Sequence, residues 1–318
     1  MRSVVVLAVT ALLVGQEQPP PSIKVEVNIV NILASVRDKR GGLIGNLGKD
    51  DFSIFEDGKQ QDIKYFTRET DIPMTIGLLI DVSASQMNLI GIEQQAADAF
   101  FGQVLRPKDL AFLISFGEEA ELLQDYTNSS KLLRAGLRDL KVSSGVSGIG
   151  PGPVPTASQP RGTVLYDAVY LASADQLKGQ VGRKALVLIT DGEDQGSRYK
   201  IQDAIMAAQK ADAIIYSIYY YDRSFYNRYG GISFGGGGKG YLKRMSEETG
   251  GMVFEVDRHH TLSDVFKEIQ DAMRSQYAIG YNPTNPNKDG TFRKIDIKLK
   301  NNDYKVQARK GYYAINTE

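Results

Sequence analysis

The sequence predicts an α/β protein. A doubly wound, mainly parallel sheet fills the middle of the chain, and its two flanks combine into a β-sandwich. Three observations carry this. Between residues 71 and 275, short apolar runs alternate with helical patterns, as in a parallel sheet covered by helices on both faces. The segments before and after show the period-2 alternation of half-buried strands. Neither flank alone has strands enough for a secure core, since three or more with a buried face are usually needed, so the two are expected to pair with each other.

The elements follow in order. Met1-Arg2, the apolar run Val4 to Val14 and the polar Gln16-Glu-Gln-Pro-Pro-Pro21 read as a signal peptide and proline-rich linker over residues 1–21. The run is shorter than the roughly 20 residues that span a bilayer. It lacks a clean small-x-small site, so cleavage near Gly15 and an uncleaved membrane anchor both stay open. The expected location is exported: periplasm, cell envelope or exterior. Over residues 22–70, Ile23, Val25, Val27 and Ile29 alternate with Lys24, Glu26 and Asn28, and a second strand follows through Val36. Asp38-Lys-Arg-Gly-Gly42 is a turn. Phe52 and Ile54 flank Ser53, and Glu56-Asp-Gly58 turns the chain towards Ile63 and Tyr65.

In the middle, strands are expected at Thr75–Ile80, Leu110–Phe116, Ala185–Thr190, Ala213–Tyr219 and Met252–Val256. Helices are expected near Ile92–Leu105, Ser129–Leu140, Thr163–Leu177, Ile201–Ala211, Tyr241–Thr249 and Leu262–Ser275. Thr261 with Asp264 forms a capping pattern, and Gly250-Gly251 supplies a left-handed stop. Over residues 276–318, strands recur at Tyr277–Tyr281, Ile295–Leu299, Tyr304–Ala308 and Tyr312–Ile315, with a polar turn at Asn282–Gly290. Insertion of the α/β unit into the sandwich requires only that its own ends lie close together.

Composition narrows the function classes. A hydrophobic content of 42% with 24% charged residues is ordinary for a globular chain of 318 residues. Lys+Arg and Asp+Glu both number 38, so the positive field that nucleic-acid binding needs is absent. Without cysteine there is no disulfide, thiolate metal site or lipidated cysteine.

Chemistry concentrates in Gly77-Leu-Leu-Ile-Asp-Val-Ser-Ala-Ser85, where a buried-strand pattern delivers Asp81, Ser83 and Ser85 to a strand end. One carboxylate with two hydroxyls suits a hard cation. Magnesium takes oxygen ligands at about 2.1 Å and keeps part of its water. Thr163, opening a helical pattern, and Asp191, ending the apolar run Ala185–Thr190, can each present an oxygen at an element's end. Taken singly, such an Asp or Ser is usually a turn former or helix cap; five together in this order point to one ion.

Asp-x-Ser-x-Ser, a later Gly-Thr and a later Thr-Asp-Gly resemble the metal-ion-dependent adhesion site (MIDAS) of von Willebrand factor type A (VWA) domains, over roughly Pro73 to Arg274. The resemblance implies a Rossmann-like VWA fold. It also implies that Ser83, Ser85 and Thr163 contact the ion through hydroxyls while Asp81 and Asp191 act largely through bound water. One position is then left for an Asp or Glu of a protein partner, which an incompletely neutralised cation attracts. Mg2+ is the expected ion, with Mn2+ or Ca2+ as substitutes. If VWA-type switching applies, Thr163 replaces a bound water while the helix around Val265–Met273 shifts. The flanks, Phe52-Ser-Ile-Phe-Glu-Asp-Gly58, Gln276-Tyr-Ala-Ile-Gly-Tyr-Asn-Pro283 and Gly311-Tyr-Tyr313, resemble those of secreted bacterial VWFA-related proteins, a family without a settled activity.

Two loops are expected near the site. Val142–Gly162, rich in Gly and Pro, is either a partner-reading lid or a flexible insert. Residues 222–238 carry Tyr226, Tyr229 and Phe234, which either anchor a partner or pack down on the fold. Asp167 is expected to accept a hydrogen bond rather than bind the ion, and Asp194 with Glu193 to begin a helix. Gly235-x-Gly-x-x-Gly240 lacks the strand that a dinucleotide site needs in front of it, and His259 and His260 read as turn residues.

Three function classes compete. An adhesion-type binding module fits the whole motif. A metal-dependent hydrolase would use Asp81 as nucleophile but lacks a second acid or base in the motif, because position 83 is serine. A structural envelope protein would carry the ion as an accessory. The first is favoured, a non-enzymatic protein-binding role. Oligomeric state is not legible.

Overall fold

The structure is a computed structural model describing residues 29–68, 71–143, 162–222 and 237–315. The N-terminal flank forms β1 (Val30–Arg37), β2 (Phe52–Glu56), β3 (Lys59–Gln61) and β4 (Ile63–Thr67). Residues 23–28, where a strand was expected, lie outside the described residues. The middle forms β5 (Met74–Asp81), α1 (Ile90–Val104), β6 (Leu110–Phe116), β7 (Ala120–Thr127), α2 (Ser130–Arg138) and α3 (Leu165–Leu171). It continues with β8 (Arg183–Thr190), α4 (Ile201–Lys210), β9 (Ala213–Tyr219), α5 (Gly237–Thr249), β10 (Val253–Glu255) and α6 (Leu262–Arg274). The C-terminal flank forms β11 (Tyr277–Tyr281), β12 (Phe292–Leu299), β13 (Lys305–Ala308) and β14 (Gly311–Tyr313).

The flanks interleave. One four-stranded sheet runs β13-β1-β11-β4 and the other β14-β12-β2-β3, so each takes strands from both ends of the chain. Within both sheets the neighbouring strands pair antiparallel. Period-2 alternation sends Ile32, Ala34 and Val36 of β1 inward, to meet Ile54, Tyr277, Ile279, Ile295 and Ile297 in one apolar cluster. The carboxylate of Glu56 is buried there, and it accepts the hydroxyls of Tyr281 (2.7 Å) and Tyr312 (3.0 Å).

The central sheet runs β10-β9-β8-β5-β6-β7 and is parallel except for β7. Every residue of β5 is buried, as a central strand covered on both faces requires. Ile76, Leu78 and Ile80 join the cluster beneath α1, α2 and α6, while Leu79 joins the one beneath α3, α4 and α5. Gly77 is fixed by close packing, because a Cβ there would lie 2.3 Å from Phe112 Cζ. The edge strand β7 was not anticipated: Ala120-Glu-Leu-Leu-Gln-Asp-Tyr-Thr127 is half exposed and bulged, with no clean alternation to read. The helix expected from Thr163 begins at Leu165, and its second half, Ala172–Leu177, is π-helical.

Strand β5 lies between β6 and β8, so the chain winds outward from it in both directions. Ligands of such sheets bind outside the carboxyl ends of the strands at this switch point. At the opposite edge, the buried carboxylate of Asp109 accepts the amides of Met74 and Arg106, both at 3.0 Å, and pairs with Arg274 at the end of α6.

Candidate metal centre

Asp81 is the last residue of β5, and in the parallel register Ile80 faces Ile189, one residue before the end of β8. The two strands therefore release Asp81 and Asp191 side by side. Asp81 is fully buried; its Oδ1 accepts the amide of Ser83 (2.9 Å) and its Oδ2 the hydroxyl of Thr190 (2.6 Å). A 3-10 turn at Ala84–Gln86 folds the chain back so that the hydroxyls of Ser83 and Ser85 stand 3.0 Å apart. Ser85 donates to Asp191 Oδ2 at 2.6 Å, and Asp191 Oδ1 accepts the amide of Glu193 at 3.1 Å. Gly192, at φ +81°, makes the turn possible, since a Cβ there would lie 2.5 Å from the Gly238 carbonyl oxygen.

Four of the five expected ligands are thus joined by one hydrogen-bond network. The fifth, Thr163, is buried at the same edge, and its carbonyl accepts the amide of Gln195 at 2.9 Å. It precedes α3 rather than opening it.

The electrostatics fit a cation. Burial, then the charge of Asp191, pushes the Asp81 carboxyl up to about 7, against the hydrogen bonds from Ser83 and Thr190 that favour its charged form. Burial and Asp191 also raise Glu193. A divalent ion beside Asp81 and Asp191 would relieve this repulsion. By giving its proton to Asp191, the Ser85 hydroxyl keeps oxygen lone-pair density for an ion. Among the described residues no group of three or more His, Cys, Asp or Glu is arranged to hold a metal, so a centre here depends on hydroxyls and water as well as carboxylates.

The neighbouring acids cap backbone. Asp167 Oδ1 accepts the amides of Arg198 (2.8 Å) and Tyr199 (2.9 Å), the accepting role expected of it, but in the loop before α4 and away from the ligand network. Asp194 accepts the Tyr166 amide at the start of α3, and Glu193 accepts the Gly238 amide in the first turn of α5. His260 lies in the turn before α6, bonded to Glu268 at 2.8 Å. Tyr226, Tyr229 and Phe234 lie outside the described residues, as does most of Val142–Gly162.

Three residues near the centre were missed. Thr190 orders Asp81 and also accepts the Gly192 amide at 3.0 Å; its signal was a hydroxyl at the tip of an apolar strand. Gln86 and Glu93 are both fully buried. Glu93 sits on the apolar stripe of α1 with Ile90, Ala97, Phe100 and Val104, a register in which a carboxylate is out of place.

No protein-family profile and no curated protein sequence matches the chain. Similar solved structures include the conserved hypothetical protein BatB from Bacteroides thetaiotaomicron, at 16% identity and a TM-score of 0.47 over 63% of this chain and 97% of that one. An aerotolerance-related membrane protein from Bacteroides fragilis gives 14% and 0.45 over 63% and 98%. Proximal thread matrix protein 1 from the mussel byssus, with a zinc-occupied MIDAS motif, gives 14% and 0.47 over 69% of this chain and 50% of that one. At these identities and scores the comparisons carry no functional argument, which rests instead on the geometry of the site.

Proposed function

We propose that this chain is an exported or envelope-associated, non-enzymatic binding protein. In this reading it grips a protein partner through a divalent cation held by Asp81, Ser83, Ser85, Thr163 and Asp191. The observation that carries the reading is the hydrogen-bond chain from Ser83 through Ser85 to Asp191 beside the buried Asp81. When bound, the ion supplies an electrophilic position open to a carboxylate. The protein's part is to hold the shell. Ser83 and Ser85 offer hydroxyl oxygens, Thr163 a third, and Asp81 and Asp191 orient bound water and balance charge from behind. Both oxygens of Asp81 already accept hydrogen bonds and the residue is fully buried, which suits a ligand holder better than a nucleophile.

The test is selection from a random peptide display library on the immobilised protein with magnesium present. Enriched peptides are expected to share an Asp or Glu whose replacement abolishes binding, and binding is expected to vanish with chelator and in Asp81→Ala. Enrichment of peptides without an essential acid, or binding indifferent to chelation, would contradict the reading.

A further inference from the structure

We propose that Glu93 is the third negative charge of the cation centre, acting from beyond the ion's direct shell to raise its affinity for doubly charged ions. The inference rests on the cation reading above. Glu93 lies in the first turn of α1, is fully buried, and neither of its carboxylate oxygens has a hydrogen-bond partner. The backbone ties this turn directly to the loop of Ser83 and Ser85: the Leu89 amide donates to the Gln86 carbonyl at 2.8 Å and the Glu93 amide to the Leu89 carbonyl at 3.0 Å. Burial first, and then the charges of Asp81 and Asp191, hold the Glu93 carboxyl well above the usual range. Among the described residues no three acidic groups are close enough together to ligate one metal, which places Glu93 outside the direct ligands.

Its surroundings are polar where an apolar core is expected. Gln86, at the end of the metal loop, is fully buried; its Nε2 donates to the Tyr220 carbonyl at 3.2 Å, and its Oε1 has no partner. The Tyr220 phenol is raised by burial and then by Glu93 and Asp222. Oxygen acceptors without donors therefore gather behind the loop that carries Ser83 and Ser85.

An unpaired buried carboxylate is a large cost to a fold unless a counter-charge or a proton offsets it. Residue 93 occupies the stripe of Ile90, Ala97 and Phe100, where leucine would satisfy packing and helix propensity alike. A cation beside Asp81 and Asp191 is the counter-charge the surroundings supply. Coulomb attraction scales with ionic charge and persists beyond contact distance in a poorly screened interior, so the third carboxylate favours a divalent over a monovalent ion. The same charge opposes an incoming partner carboxylate. Glu93 therefore trades partner affinity for ion retention.

The experiment compares wild type, Glu93→Gln, Glu93→Leu and Asp81→Ala after chelator stripping, by calorimetric titration with magnesium in low and high sodium and by thermal melts with chelator. In Glu93→Gln, magnesium affinity is expected to fall at least about tenfold and sodium to compete more effectively. Its melting temperature in chelator is expected to hold or rise, the opposite of what loss of a merely structural contact produces. Glu93→Leu reads the same charge should the glutamine variant not fold. Magnesium affinity within about twofold of wild type in a folded Glu93 variant, with binding abolished in Asp81→Ala, would overturn the role of Glu93 and leave the cation reading intact. Unchanged binding in Asp81→Ala would overturn both.

Discussion

Ser85 donates its hydroxyl proton to Asp191 across 2.6 Å, tying the loop after β5 to the end of β8 over 106 residues of sequence. The bond closes the switch point of the sheet and, in the proposed centre, would order a hydroxyl and a carboxylate for the ion. Ser85→Ala is expected to cost about 1–2 kcal/mol of stability and to weaken magnesium binding at least about tenfold. Urea denaturation and calorimetry measure the two effects. Loss of stability without loss of ion affinity would make the bond purely architectural.

The raised carboxyl of Asp81 gives the metal-free protein a pH dependence of definite sign. Its folded value of about 7 lies above the ordinary aspartate value of 3.8, so between these limits the native state binds more protons than the unfolded chain. Stability contributed by this group is therefore full below the lower value and is lost as pH rises through the upper one. Chelated protein is expected to melt at a lower temperature at pH 7.5 than at pH 5 through this group. Magnesium competes with the proton, so the rise in melting temperature on adding it is expected to grow over the same interval. In Asp81→Asn, both trends should flatten.

Thr190→Val keeps the shape of the strand tip but removes the donor to Asp81 and the acceptor of the Gly192 amide. Two hydrogen-bonding groups of a buried turn then lose a partner, an expected cost of about 1–3 kcal/mol with a weakened ion site. Thr190→Ser, retaining the hydroxyl, is expected to restore most of the ion affinity.

Asp109 offers a contrast at the far edge of the sheet. Asp109→Ala takes the counter-charge from Arg274, which keeps its bond to the Val104 carbonyl, and leaves two amides without their acceptor, at an expected cost of about 3–5 kcal/mol. Ion affinity in the folded protein should be unchanged. A loss of magnesium binding there would mean that the two edges are coupled through α6.

Much of this was legible because period and burial agree. The run Met74–Asp81 is continuously apolar up to its acid, which reads at once as a strand buried on both faces and as a polar group delivered to its end. The flanking strands were visible in alternation such as Ile295 and Ile297 between charged neighbours. The rest had weak or misleading local signatures. The half-exposed β7 has no consistent period, and Thr190 resembled a strand residue until its hydroxyl was seen against Asp81. Glu93 stands in register with Ile90, Ala97 and Phe100, so the helical period points it inward against the ordinary solvation of a charged residue. For Thr163, the sequence pattern opens a helix at the residue itself, whereas packing sets the start at Leu165.

Calorimetric titration of the chelator-stripped protein with magnesium, calcium and manganese, run beside Asp81→Ala, reads the cation site itself. Saturable binding of one divalent ion per chain is expected, lost in the variant while its fold persists. No binding by wild type, or equal binding by Asp81→Ala, would contradict it.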